Sequence, residues 1–132
     1  MGMSTDAKLV YGVDLNSDCD EGLPEWLKRP DGVSAEDWDD DPMCALEDVG
    51  ILDEWSPWHG GNLHYHSYGH CDCSCRCVGF AIASSNWSAS EVPSFDVPED
   101  ADERIHKFLV AVGAPQEMID KGAVWLLLPY YG

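Results

Sequence analysis

The residues best suited to chemistry form one stretch, His64-Tyr65-His66-Ser67-Tyr68-Gly69-His70-Cys71-Asp72-Cys73-Ser74-Cys75-Arg76-Cys77. Read as a hairpin turning on Gly69-His70, a pair suited to a type II′ turn, it sets Tyr68 opposite Cys71, His66 opposite Cys73 and His64 opposite Cys75. Every second residue of a strand shares a face, and cross-strand neighbours lie about 5 Å apart. His64, His66, Cys73 and Cys75 then make a square on one side of the ribbon. Two imidazoles and two thiolates are a tetrahedral zinc set with no open position, so one structural zinc ion is the cofactor this reading predicts. His59, Cys19 or Cys44 could replace one ligand. The competing reading has no metal and lets the small thiols line a core, with Asp72, Ser74 and Arg76 towards water. A redox role is a third reading. Alternate cysteines on a strand lie about 7 Å apart, too far for an easy disulfide, so reduced thiols are expected.

Other catalytic signatures are missing from the sequence. It has no glycine-rich phosphate loop and no G-x-S-x-G elbow. Asp14-Asn16-Asp18-Asp20 alternates like a calcium loop, but Glu21 and Gly22 fall at the wrong places. With six Cys and five His, a Cys–His pair can always be picked, so no nucleophile stands out. No enzymatic activity is expected.

Charge is the stronger signal. Twenty-five acidic side chains face seven basic ones, for a net charge of −18 over 132 residues. Residues 1–60 hold sixteen of the acids and three bases, and no Lys or Arg occurs between Arg29 and Arg76. Such a field repels nucleic acid and anionic membrane and attracts the cationic surfaces that grip DNA or RNA. The expectation is a non-enzymatic acidic binding protein, an inhibitor or nucleic-acid mimic of the kind phages encode. It would block a basic nucleic-acid-binding protein and bind no nucleic acid itself. Glu36, Asp37, Asp39, Asp40, Asp41, Glu47, Asp48, Asp53 and Glu54 are the candidate contact acids. Trp38, Trp55 and Trp58 are the candidate apolar anchors, since aromatic residues are enriched at binding hot spots. The alternatives are a small zinc-stabilised Cys/His module, or acidity serving only solubility or a saline environment.

These features need a frame to hold them. Leu9, Tyr11, Val13 and Leu15 alternate as on a half-buried strand. Residues 16–60 are an acidic, irregular helical region, with short pieces starting at Pro24, Ser34 and Pro42. The hairpin occupies about 62–84, its second arm running into the apolar Val78–Ala83. Pro98–Val112 is the best helix. Acids fill its first turns, Ala101, Ile105, Phe108, Leu109 and Val112 form an apolar stripe, and Gly113 and Pro115 end it. Pro115–Lys121 is a further short helix. Residues 123–129 hold a buried strand halted by Pro129.

The resulting order is strand, helices, strand, strand, helix, strand. It predicts a single α+β domain, a four-stranded antiparallel sheet with helices on one face, ordered like the ferredoxin-like βαββαβ motif. The first and third strands should be central. Leu63–Tyr68 should be an exposed edge, giving a monomer or an edge-paired dimer. The N-terminus shows no basic and apolar leader and no apolar run is long enough to span a bilayer, so a cytoplasmic protein is expected.

Overall fold

The computed structural model describes residues 5–15, 24, 26–54, 62–68, 75–84 and 97–131. Four strands and four helices follow in the order β1 (Thr5–Asp14), α1 (Ala35–Asp40), α2 (Pro42–Asp48), β2 (Leu63–Tyr68), β3 (Cys75–Ser84), α3 (Ala101–Ala111), α4 (Gln116–Lys121) and β4 (Val124–Tyr131). The strands form one sheet in the order β2-β3-β1-β4 with every neighbouring pair antiparallel. β1 and β3 are therefore central, as the sequence predicts, and the arrangement is an α+β fold compatible with the ferredoxin-like motif. Among the described residues no helix is long and apolar enough to cross a membrane.

The sheet presents two faces because side chains alternate along each strand. On the first, Val13, Val78, Phe80 and Leu63 meet Met43 and Leu46 of α2 and Ala101, Ile105, Phe108 and Leu109 of α3 in the main core. The stripe read from Pro98–Val112 is buried as expected: Ile105, Phe108, Leu109 and Val112 are each at most 1% exposed. On the second face a smaller cluster joins Val10, Cys77 and Leu128, flanked by Tyr68, Ala81 and Leu126. Strands β2 and β4, at opposite edges, approach each other, so the sheet curls around this cluster. Gly12 and Gly79 are cross-strand partners at the centre of that curl.

Three local expectations change. The segment from Leu23 makes no helix in its described part. The Leu27 N–H donates to the Pro24 carbonyl at 3.1 Å, and the Lys28 N–H donates to the Val112 carbonyl at 2.8 Å. That second bond ties the segment to the end of α3, and Trp26 and Leu27 pack on the core. Pro98 lies one turn before α3, its carbonyl accepting from the Ala101 N–H at 3.0 Å. Strand β4 runs through Pro129 to Tyr131 instead of stopping there. An edge strand tolerates proline because its outward N–H makes no ladder bond.

Candidate functional site

The acidic segment is built by two short capped helices. The Ser34 hydroxyl accepts from the Asp37 N–H at 3.1 Å and starts α1. Asp41 both closes α1 and starts α2, its carboxylate accepting from the Met43 N–H at 3.2 Å and the Cys44 N–H at 3.3 Å. Helix α1 buries none of its residues. Trp38 alone is half-buried, leaning on the main core. Glu36, Asp37, Asp39 and Asp40 stand exposed around it, as do Asp48 and Glu54.

Three of the nominated contact acids have inward duties. Asp41 is the cap just described. Glu47 points its Oε2 at His64 Nε2, 3.4 Å away. Asp53 accepts from the Leu63 N–H at 2.8 Å and pairs with Arg104 of α3. Burial opposes ionisation of Asp53, but the Arg104 guanidinium and the Leu63 N–H outweigh it and hold its carboxyl below the ordinary carboxylate range. Arg104 in turn lies over the Phe80 ring, 5.5 Å from its centroid. Trp55 and Trp58, the other two nominated anchors, lie outside the described residues.

The hairpin's register differs from the one the sequence suggests. Leu63 faces Phe80, His64 faces Gly79, His66 faces Cys77 and Tyr68 faces Cys75. Residues 69–74 join the strands in place of a two-residue turn, which slides the pairing by four positions. Cys75 is therefore not opposite His64, and Cys77 takes the place beside His66 that was expected for Cys73. Cys73 itself lies outside the described residues, as do His59 and Cys19. The His64 and His66 rings share a face, 6.3 Å apart. His64 Nδ1 lies 2.9 Å from the Tyr65 carbonyl oxygen and His66 Nε2 lies 3.3 Å from that of Gly79. Among the described residues no three His, Cys, Asp or Glu side chains converge as a metal site.

Two thiols can be judged individually. Cys77 is fully buried, and burial first, then the nearby Asp14 carboxylate, pushes its thiol up to about 12. Cys44 is exposed on α2, and its thiol is raised first by a hydrogen bond to Asp41, then by slight burial and the acids around it. Neither is a ready thiolate nucleophile at neutral pH. Alkylation of the native protein, read by peptide mass spectrometry, should therefore mark Cys44 slowly and Cys77 only after unfolding. Rapid native labelling of Cys77 would contradict the buried cluster.

One feature has no sequence signal. An open cleft of about 720 Å³ lies where β4 begins, lined by Val13, Trp26, Met118, Val124 and Leu126, with Asp14, Glu117 and Lys121 among its polar groups. Its described lining includes no Ser, Thr, Cys or His. Tyr68, from the far edge strand, donates its hydroxyl to Asp14 at 2.6 Å. The cleft draws on four separate segments, so no local motif could announce it.

Charge is distributed unequally over the fold. Every exposed carboxylate among the described residues sits on a helix or on a segment flanking one. Several cations of that layer are already engaged: Arg29 donates to the Val33 carbonyl, Arg104 pairs with Asp53, and Lys107 lies 3.3 Å from Glu103. Residues 36–41 place five carboxylates in six positions. At about 1.5 Å per residue this is roughly one charge per 1.8 Å, against about 1.7 Å along duplex DNA. Comparison with protein-family models, with curated proteins and with solved structures yields no match.

Proposed function

We propose that this chain is a non-enzymatic acidic binding protein that occupies the nucleic-acid site of a basic protein and so inhibits it. The supporting observation is the one-sided charge: exposed carboxylates crowd the helical layer at a linear density close to that of duplex DNA. Contact falls to Glu36, Asp37, Asp39, Asp40, Asp48 and Glu54, which are exposed. Trp38 is the apolar neighbour in their midst. A rigid carboxylate array of this kind steers a cationic partner to it quickly, and the complex weakens as salt screens the pairing.

The test begins with capture from cell extract at low salt and identification of what elutes at high salt. The combined variant Glu36→Gln, Asp37→Asn, Asp39→Asn, Asp40→Asn should then bind the captured protein at least tenfold more weakly, about 1.4 kcal/mol. Its salt dependence should be shallower, while its melting temperature stays close to that of the parent. Unchanged affinity in a folded variant would remove α1 from the binding face.

A further inference from the structure

We infer that the open edge of β4 is a self-association surface, on which a second copy of this chain pairs antiparallel to form one continuous eight-stranded sheet. The two edges of the sheet are not equivalent. At β2 the outer side of Leu63 is already taken, since its N–H donates to the Asp53 carboxylate and its carbonyl accepts from the Asp53 N–H, both at 2.8 Å. At β4, among the described residues, no strand lies outside. There Leu127 is 72% exposed and Trp125 41%, two of the largest apolar exposures on the molecule. They are two residues apart and so share a face. A long apolar edge of this kind is a template for strand pairing. Pro129, which has no N–H, limits that pairing to Val124–Leu128.

Charge selects the occupant. From Gly122 to the last residue the chain has no charged side chain, whereas its exposed carboxylates belong to the helical layer. Two copies carrying −18 each can bring their β4 strands together while keeping those layers apart from one another. A basic partner gains nothing at this neutral strand. Antiparallel pairing of a strand with its own copy is isologous and closes at two, and the occupied β2 edge stops further growth. The twofold axis of such a pair stands perpendicular to the sheet, so both helical layers lie on the same side. At about 4.8 Å per strand the joined sheet is roughly 38 Å wide, near the length of 11 base pairs at about 3.4 Å each. Dimerisation would thus double the acidic face in one direction.

Sedimentation velocity over micromolar to sub-millimolar protein tests this without any partner, so its outcome is separate from that of the inhibitor reading. The expected species has twice the 14.6 kDa chain mass, and added salt should tighten it by screening like charges. Leu127→Lys should weaken association at least tenfold while the melting temperature holds. That variant lowers the net negative charge, so a purely electrostatic account expects the opposite sign. Exchange of the Leu127 amide hydrogen should also slow as protein concentration rises. A monomer at every concentration, or a dimer indifferent to Leu127→Lys, would overturn the proposal.

Discussion

Replacing Gly79 with valine should prevent the protein from folding at ordinary temperatures, and alanine there should lower the melting point by about 10 °C or more. Gly79 and Gly12 face each other across β1 and β3, and each needs the space the other's missing side chain leaves. A Cβ on Gly79 would sit 2.8 Å from the Gly12 Cα and 2.8 Å from Val10 Cγ1, and would also collide with the Tyr11 carbonyl oxygen. A Cβ on Gly12 would sit 2.6 Å from the Gly79 Cα and would meet the Val78 carbonyl. The obstacles are mostly backbone atoms of central strands, which cannot rotate away as a flexible side chain would. Overpacking a core costs about 1–3 kcal/mol when the neighbours can shift. Here the neighbours are held in two ladders, so about 3 kcal/mol or more is expected for alanine. At this chain length each kcal/mol moves the melting point by roughly 3–5 °C. Gly50→Asn is the control: nothing lies within 4 Å of its added Cβ, and asparagine tolerates its positive φ of 82°. Thermal unfolding of Gly12→Ala, Gly79→Ala and Gly50→Asn should separate the first two from the third.

The glycine pair also shows how far the sequence could be read. Strand order followed from element order and from the apolar weight of Val78–Ala83, because burial on both faces of a central strand leaves a mark in composition. The α3 stripe was legible for the same reason, since a 3.6-residue period records one buried face. Nothing local marks Gly12 and Gly79 as partners, as their relation spans 67 positions of chain and exists only through the β1–β3 register. The hairpin register failed differently. Gly69-His70 satisfies the chemistry of a two-residue turn, yet the strands pair as though hinged between Cys71 and Asp72. Tyr68, Cys77 and Leu63 are placed by the two sheet faces, and a slide of four residues keeps every side chain on the face it already had. Alternation therefore could not distinguish the two registers. Packing of Leu63 against Phe80 did.

The acidic residues carry the same lesson at the candidate site. Composition showed that the segment from Glu36 to Glu54 is anionic. It could not sort acids that meet water from acids that meet the fold. The capping acid Asp41 is separable in principle, since it directly precedes Pro42 at the start of a helix. Asp53 is not separable, because its partners Leu63 and Arg104 are 10 and 51 positions away.

That difference gives the second prediction, in which two kinds of acid respond oppositely to the same substitution. Asp53→Ala should destabilise the protein by about 2 kcal/mol, whereas Asp39→Ala and Asp40→Ala should stay within about 0.5 kcal/mol of the parent. Alanine at 53 removes the acceptor of the Leu63 N–H and takes the carboxylate from Arg104, which is half-buried between Asp53 and the Phe80 ring. Asp53→Asn keeps an oxygen for Leu63 but no charge for Arg104, so it should recover part of the loss. The pH dependence has a definite sign. The folded protein holds Asp53 below its ordinary value of 3.8, so its contribution is present above the unfolded pKa and disappears as pH falls through the folded one. Urea unfolding followed down an acid series should show the gap between parent and Asp53→Asn narrowing as the pH drops below about 4. A gap that widened in acid would mean Asp53 is stabilised in its protonated form. Binding to a basic partner should follow the reverse ranking: Asp39 and Asp40 variants lose affinity while folding normally, and Asp53→Asn loses stability while the exposed array on α1 still binds. One set of variants, measured for both unfolding and binding, thereby separates the carboxylates that hold α2 and β2 together from those that face outward as a phosphate-like surface.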